Sequence, residues 1–310
     1  MNPMPPLDQL SISGQLNVAV VQVEFNAAEP LDARISRVET LVSEIQGADL
    51  VVLPELWLHG GFSYETWRDE AISLKDDVVA RMSEVSRIGN TWLHAGSYME
   101  TLADPASEMW NTSVLFDNLG NIRATYKKIH RFGFSDGEPR LIAAGEEPVV
   151  VPLQTKTATV STGLSTCYDL RFPELYRHMA TVGATLNLVP ACWPLSRVGH
   201  WETLGRARAI ENQAFVVQCN MTGSDHQIEL GGHSQIIDGN GTVLAKAGRE
   251  ETVIQARLDF DQLAETRRSF PVLQDRRADM WTGQGFPASG ASFPETARAL
   301  SALPDVRQGG

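Results

Sequence analysis

The sequence predicts an α/β protein in which two sheets pack face to face and helices cover their outer sides. It opens with a β-α-β unit, formed by a strand at 16–25, a helix between Pro30 and Gly47, and a buried strand at 50–54. A second unit of this kind occupies 157–190. About ten segments in all have strand character, more than one two-layer unit comfortably holds, and this favours two sheets.

The opening unit is defined by its periodicity. Its first strand has the sequence LNVAVVQVEF, which alternates and is rich in β-branched residues. The apolar strand at 50–54 is of the buried kind, and its closing proline cannot donate to a ladder. The helix between them begins at a proline, ends at a glycine and has apolar residues at helical intervals, namely Leu31, Ile35, Val38, Leu41, Val42 and Ile45.

The middle of the chain adds a long helix at 65–88, a strand at 91–99, and two strands at 110–117 and 121–128. The last two are joined by an Asn-Leu-Gly-Asn turn and therefore predict a hairpin. A loop rich in glycine and proline follows at 133–148. The remaining predicted elements are strands at 147–153 and 157–167, a helix at 173–182, a strand at 184–190, a helix at 199–212, a strand at 214–220, paired strands within 232–247, a strand at 252–260 and a short helix.

One domain is predicted, at residues 15–281. Neither a linker-like change of composition nor an internal repeat interrupts this stretch. Residues 1–14 are polar and contain prolines, so we expect an N-terminal tail. Residues 282–310 are rich in glycine, proline, alanine and serine, which predicts an arm or a mobile tail.

Charge and composition exclude several classes of protein. The chain has 26 Lys and Arg against 38 Asp and Glu, a formal charge of −12, which argues against a general nucleic-acid binder. No apolar run approaches the roughly 18 residues that a membrane span needs. Its three cysteines, an odd number in a long chain, fit a reducing compartment. We therefore expect a cytoplasmic protein that binds neither nucleic acid nor membranes.

Cys167 is the first candidate for chemistry. It lies where the apolar segment ending in LSTC meets a segment with Pro173 at a plausible first helical position. Such a strand-to-helix turn can present a nucleophile and leave backbone N–H groups free to bind an oxyanion. The alternative is a buried structural cysteine, because cysteine is among the most buried residue types.

A nucleophilic cysteine needs a partner, because a thiol with a pKa of about 8.5 is mostly protonated near neutrality. Glu55 directly follows the buried strand at 50–54, and Lys128 ends the strand at 121–128. A carboxylate could accept the thiol proton, and an ammonium could stabilise an oxyanion. Taken singly, a capping or ion-paired glutamate and a solvated Lys127–Lys128 pair are the more ordinary explanations.

Six segments, taken together and in this order, resemble the nitrilase superfamily of carbon-nitrogen hydrolases, specifically its Nit branch. The resemblance covers roughly residues 16–277 and implies a Glu55–Lys128–Cys167 catalytic triad. It also implies a four-layer α-β-β-α sandwich, and a homodimer or a larger homo-oligomer. The segments that carry it are VVLPE, YKKIH, STCYDLRFPELYR, LVPACWP, HWETLGRARAIENQAFVVQCN and GGHSQIIDGNGTVLAKAG.

The resemblance also implies supporting residues. Glu138 stands seven residues before Gly145, where family members carry a second glutamate, and we expect it to orient the lysine. Its alternative is a flexible acidic loop residue. The backbone N–H of Tyr168 is expected to help Lys128 stabilise the oxyanion. No metal or organic cofactor is expected, because the sequence contains neither HExxH nor CxxC, neither GxGxxG nor a P-loop.

Candidate substrate-binding residues are Arg171, Cys192 and Trp193. Arg171 could bind a substrate carboxylate, although an ion pair with Asp169 or Glu174 is the favoured expectation. The residues that follow Cys167, in the segment CYDLRFPE, are similar to those of omega-amidases and deaminated-glutathione amidases. We therefore expect hydrolysis of a small carboxylate-containing amide through a cysteine thioester. The alternatives are a carbamoyl amide or nitrile at the same site, and a catalytically silent binding or scaffold protein.

Overall fold

A computed structural model describes residues 12–102, 108–133 and 137–277. Its helices are α1 (Leu31–Ser43), α2 (Trp67–Glu70), α3 (Asp77–Gly89), α4 (Glu138–Leu141), α5 (Pro173–Thr181), α6 (Val198–Asn212) and α7 (Phe260–Ser269). Its strands are β1 (Ser13–Gln22), β2 (Glu24–Asn26), β3 (Leu50–Val52), β4 (Trp92–Thr101), β5 (Met109–Phe116), β6 (Ile122–Lys127), β7 (Val149–Gln154), β8 (Ala158–Leu164), β9 (Leu186–Ala191), β10 (Phe215–Asn220), β11 (Thr222–Asp225), β12 (Ile228–Glu229), β13 (Gln235–Ile237), β14 (Val243–Lys246) and β15 (Thr252–Asp259).

The strands form a mixed α/β fold with two sheets. The larger has the order β14-β13-β10-β9-β8-β1-β3-β4-β5-β6, with β15 paired to β1 and β7 paired to β8. The smaller has the order β12-β11-β2. Strand β1 pairs in parallel with β3 over Val18–Val20, and only its first two residues, Ser13 and Gly14, reach β8. The larger sheet is therefore joined through one short stretch at the start of β1.

Side-chain alternation along the strands builds separate apolar clusters. On β1, Val18 and Val20 belong to a cluster that also contains Leu188 of β9 and Val217 of β10. Ala19 and Val21, which alternate with them along the strand, belong to another cluster that contains residues of α1 and α3. Because successive strand residues point to opposite faces, one strand contributes to two clusters. A third cluster packs α5 and α6 against residues of β9 and β10.

The predicted helix at 65–88 is wrong in its middle. The structure has α2 and α3 instead, separated by an extended stretch in which Ile72 forms a bridge with Glu100. The Asp76 carboxylate accepts a hydrogen bond from the Ser73 backbone N–H, 2.8 Å away, immediately before α3 begins. Pairing with β4 and this local bond satisfy backbone groups that a continuous helix would otherwise use.

The predicted first strand is divided as well. Strand β1 ends at Gln22 and β2 begins at Glu24, and they pair with different sheets. Strand β1 begins at Ser13, inside the predicted tail. The first of two compact units ends at Pro271. Residues 1–11 of the predicted tail and all of the predicted arm lie outside the described residues. No helix of the described ranges is long and apolar enough to span a membrane.

Two buried histidines make the stability of this fold depend on pH. His94 on β4 is fully buried, and its ring nitrogens have no hydrogen-bond partner among the described residues. Burial lowers the pKa of His94 to about 4. Burial also lowers the pKa of His59 to about 4. Both rings are therefore neutral in the folded protein at pH 7.

We predict that the free energy of unfolding falls as the pH drops from 6.5 towards 4. A histidine with a lowered pKa takes up its proton in the unfolded chain first, so His94 alone should remove about 2 kcal/mol by pH 5. Urea unfolding at pH 7 and pH 5 measures this loss. His94→Phe should reduce the difference between the two pH values, whereas His178→Gln, at an exposed position of α5, should not. An unchanged difference in His94→Phe would contradict the prediction.

Candidate active site

One cavity collects all of the predicted site residues. It encloses about 360 Å³ of space not filled by atoms, including its opening to solvent. Five further residues complete its wall: Gly61, Phe62, Phe132, Pro194 and Arg197. The eight residues predicted from the sequence that line it are Glu55, Lys128, Glu138, Cys167, Tyr168, Arg171, Cys192 and Trp193.

Strand ends bring these residues together. Glu55 follows β3, Lys128 follows β6, Cys167 follows β8 and Cys192 follows β9. In open α/β sheets, ligand sites form outside the carboxyl ends of strands, where side chains of different strands meet. Positions separated by more than a hundred residues of sequence therefore share one cavity.

Glu55 is 2% exposed and accepts hydrogen bonds on both carboxylate oxygens. Its Oε1 lies 2.8 Å from Asn111 Nδ2 and 2.8 Å from Lys128 Nζ, and its Oε2 lies 2.8 Å from the Cys192 backbone N. Asn111 was not predicted, because an asparagine within a strand carries no sequence signal for such a contact. These donors fix the carboxylate orientation before any substrate arrives.

The backbone next to Glu55 is also constrained. Leu56 has a left-handed φ of 47°, and its N–H donates to the Ser97 carbonyl at 3.1 Å. A Cβ on Gly96 would lie 2.0 Å from the Pro54 carbonyl oxygen. Only glycine permits this approach, so β4 supports the turn that carries Glu55.

Lys128 is buried between two carboxylates. Its Nζ lies 2.8 Å from Glu55 Oε1 and 2.7 Å from Glu138 Oε1. Burial acts to lower the pKa of Lys128, but the charges of Glu138 and Glu55 outweigh it and raise this pKa well above the usual value. The neighbouring Lys127 points the other way, with its Nζ 3.3 Å from the centre of the Trp110 ring. The lysine is therefore held as an ammonium at the floor of the cavity.

Glu138 begins α4 and is 3% exposed, so it is a buried residue and not a flexible loop residue. Its second carboxylate oxygen accepts the Phe132 backbone N–H. Burial raises the pKa of Glu138, and the ammonium of Lys128 opposes that rise. The Glu138 carboxylate is the second carboxylate bonded to Lys128 Nζ, and the two contacts together hold the ammonium in place.

Cys167 lies at the predicted turn between a strand and a helix. It follows β8, opens a 3₁₀ helix at Cys167–Arg171 and has a left-handed φ of 45°. A non-glycine residue in this region is strained, and such strain is concentrated at functional sites. Among the described residues, no acceptor bonds the Tyr168 backbone N–H. Burial and then the charge of Glu55 raise the pKa of Cys167 well above its usual value, so the resting nucleophile is a thiol.

Asp169 holds this turn and was not predicted as a site residue. Its carboxylate accepts hydrogen bonds from the Thr166 N–H at 2.9 Å and the Tyr126 hydroxyl at 2.7 Å. It also lies 2.7 Å from His130 Nδ1 and accepts the His130 N–H at 2.9 Å. Because Tyr126 and His130 flank Lys128 in sequence, one buried carboxylate connects the lysine segment to the cysteine turn.

Arg208 supports the same turn from α6. Its guanidinium pairs with Glu211, three residues later on the same helix, at 3.0 Å and also donates twice to the Leu170 carbonyl, at 3.1 and 2.8 Å. The second contact joins α6 to the 3₁₀ helix that carries the cysteine. Its role is structural in both contacts.

Arg171 does not form the ion pair that the sequence favoured. Among the described residues, no carboxylate lies within ion-pair distance of its guanidinium: the Asp169 carboxylate is occupied by other donors, and Arg171 Nη1 lies 3.3 Å from His200 Nδ1. Its guanidinium carbon lies 4.6 Å from the centre of the Trp193 ring and 5.9 Å from that of Tyr168. Arg171 is therefore stacked on aromatic rings at the cavity.

The arrangement provides a thiol, a carboxylate base and a fixed ammonium around one space. This set can deliver a thiolate to a carbonyl carbon and stabilise the negative charge that develops on its oxygen. In the described ranges, no group of three or more His, Cys, Asp or Glu side chains is placed to hold a metal ion. The thiol, the carboxylate and the ammonium together suit covalent acyl transfer.

Comparison with known proteins agrees with this chemistry. A 2-oxoglutaramate amidase of Paenarthrobacter nicotinovorans is 65% identical over 92% of this chain and 97% of its own length. A 2-oxoglutaramate amidase of Bacillus subtilis is 37% identical over 85% of this chain and 98% of its own length. The omega-amidase of Mus musculus is 32% identical over 86% of this chain and 96% of its own length.

Solved structures agree as well. The NitFhit protein of Caenorhabditis elegans superposes with a TM-score of 0.78 and 30% identity, over 87% of this chain and 67% of that one. Nit3 of Saccharomyces cerevisiae, a nitrilase-superfamily member, gives a TM-score of 0.76 and 29% identity, over 86% of this chain and 98% of that one. The model of the carbon-nitrogen hydrolase family matches residues 17–268. The chain thus belongs to the carbon-nitrogen hydrolase family, in the Nit branch of the nitrilase superfamily.

Proposed function

We propose that this protein is an amidase that hydrolyses the terminal amide of a short carboxylate-bearing compound, 2-oxoglutaramate or a close analogue. The observation that carries the proposal is the meeting of Glu55, Lys128 and Cys167 in one buried cavity. The substrate comes from the 65% identical relative, which is named for 2-oxoglutaramate. The products are the free acid and ammonia.

In the first half of the reaction, Glu55 takes the proton of the Cys167 thiol and the thiolate attacks the amide carbon. The carbonyl oxygen becomes an oxyanion, which Lys128 and the Tyr168 backbone N–H stabilise. Glu55 then gives its proton to the leaving nitrogen, the C–N bond breaks and ammonia departs. A thioester between the substrate acyl group and Cys167 remains.

In the second half, Glu55 takes a proton from a water molecule, whose oxygen attacks the thioester carbon. The C–S bond breaks, the sulfur recovers a proton from Glu55 and the carboxylic acid leaves. One carboxylate therefore serves as base and acid in turn. Among the described residues, the Glu138 carboxylate bonds to Lys128 and to the Phe132 backbone N–H, so we assign it a positioning role.

Arg171, Cys192 and Trp193 form the substrate side of the cavity in this proposal. Their placement on its wall supports it. A carbamoyl amide or a nitrile would use the same nucleophile and remains the alternative substrate class. A silent scaffold is disfavoured, because a buried charge network with an unassigned thiol stabilises a fold less well than apolar packing of similar volume.

The wider setting of the enzyme is also proposed. Two apolar clusters pack helices against strands, and a third is formed mainly by strands on both sides of the β1–β8 pairing in the larger sheet. This arrangement supports a four-layer α-β-β-α sandwich. We propose that residues 15–281 form the hydrolase domain, that 1–14 and 282–310 are tails, and that the enzyme is a cytoplasmic homodimer or larger homo-oligomer. Gel filtration with light scattering tests the assembly.

We predict that Cys167→Ala lowers amide turnover by at least about a thousandfold, because the variant lacks the sulfur atom that forms the thioester in the proposed mechanism. Release of ammonia from 2-oxoglutaramate measures the activity. Cys219→Ala is the matched control, since that thiol is also buried but donates only to the carbonyls of Val21 and Val52. Intact-mass detection of an acyl group on the parent enzyme, absent in Cys167→Ala, places the adduct. Turnover within a few-fold of the parent would overturn the mechanism.

Glu55→Gln and Glu138→Gln should separate proton transfer from positioning. The first removes the base of both half-reactions, and kcat should fall by about 10²- to 10⁴-fold. The second keeps an acceptor for Lys128, so kcat should fall less, while KM for the amide changes little. Glu100→Gln is the control, because that buried glutamate accepts from Thr112 outside the cavity. Equal losses in the two variants would refute the separate roles.

A further inference from the structure

Arg197 lines the same cavity and has no role in the reaction scheme above. It ends the 3₁₀ turn Leu195–Arg197 directly before α6, far in sequence from the nucleophile. Its guanidinium carbon lies 5.5 Å from the centre of the Phe132 ring. No feature of the sequence selects it, because an arginine at the start of a surface helix is ordinarily solvated.

Two cations at this cavity have no anionic partner among the residues that the structure describes. Neither Arg171 nor Arg197 has a carboxylate of these residues at ion-pair distance, in contrast to Arg34, Arg37 and Arg208. Burial lowers the pKa of Arg171, and the nearby positive charge of Arg197 acts in the same direction. Two like charges on one wall repel each other unless an anion lies between them.

Trp193 connects the two arginines. Its ring lies under the Arg171 guanidinium, and its Nε1–H donates to the Arg197 carbonyl at 2.8 Å. The Trp193 backbone N–H is fixed in turn by Asn220 Oδ1 at 2.6 Å. The buried indole therefore sets the position of one guanidinium directly and of the other through its backbone.

We propose that Arg197 is a specificity-determining residue which, together with Arg171, binds the far carboxylate of an omega-amide substrate. The inference rests on the proposed amidase function and identifies the residues that bind the end of the substrate farthest from Cys167. Guanidinium groups bind carboxylates through paired, charge-assisted hydrogen bonds. Arg197 touches none of the reacting atoms in this role and acts on substrate choice alone.

The distribution of charge also determines which end of the substrate enters first. At the floor, Lys128 is paired with both Glu55 and Glu138, so two carboxylates surround one ammonium. A substrate carboxylate is repelled from that floor and attracted to the two arginines. A compound with an amide at one end and a carboxylate at the other is thereby bound with its amide at Cys167.

The test compares amides that differ in the far group. 2-Oxoglutaramate and glutaramate carry a far carboxylate, and valeramide has a methyl group in place of the glutaramate carboxylate. In Arg197→Gln we expect kcat/KM for both carboxylates to fall by about 10- to 100-fold, mainly through KM. The value for valeramide should stay within about threefold, which also shows that the variant is folded. Arg197→Lys should restore part of the preference.

Arg268→Gln is the control for loss of one positive charge, since Arg268 is exposed and pairs with Glu265 on α7. It should leave unchanged the ratio of kcat/KM for each carboxylate-bearing amide to kcat/KM for valeramide. An unchanged ratio in Arg197→Gln, or equal losses on all three amides, would overturn the role of Arg197 and leave the amidase function intact. A parent enzyme that releases ammonia from none of the amides and forms no acyl adduct would instead overturn the proposed function.

Discussion

The buried ammonium of Lys128 is the interaction on which the site depends. A charge with 1% of its side chain exposed is tolerated only when it is paired and hydrogen-bonded, and here Glu55 and Glu138 satisfy that requirement. The pairing also restricts the positions of both carboxylates. The same contacts therefore place the Glu55 carboxylate, the acid-base group of the proposed mechanism, and the Lys128 ammonium. The folded chain must bury all three charges together, which ties assembly of the site to assembly of the fold.

The nucleophile is held by a second, separate network. Asp169 accepts hydrogen bonds from the segment around Lys128 and from the turn before Cys167, and Arg208 holds the carbonyl of Leu170 from α6. These contacts maintain a left-handed φ at Cys167 that an isolated peptide would rarely adopt. The Tyr168 backbone N–H of this turn is not bonded to an acceptor among the described residues, and the proposed mechanism uses it to bind the oxyanion.

Most of the strands and helices could be predicted, because the alternation of apolar residues in strands and their spacing in helices are local properties of the sequence. The helix expected at 65–88 was wrong because Ile72 pairs with Glu100, a residue of another strand. The expected Arg171 ion pair was wrong for a related reason, since Asp169 is occupied by residues distant in sequence. Asn111 and Arg197 carried no local signal at all. Each failure concerns a contact between segments that are far apart along the chain.

By itself, the sequence determined the α/β class, the order of the elements, and the chemical types at positions 55, 128 and 167, because these follow from local periodicity and from motifs around strand ends. Only the tertiary structure decided that these side chains share a cavity, which of two adjacent lysines faces it, and that its wall carries two arginines with no carboxylate partner in the part of the chain that the structure describes. The physical reason is that burial, charge pairing and cavity shape depend on distances between strands. Those distances are fixed only when the sheets and helices pack.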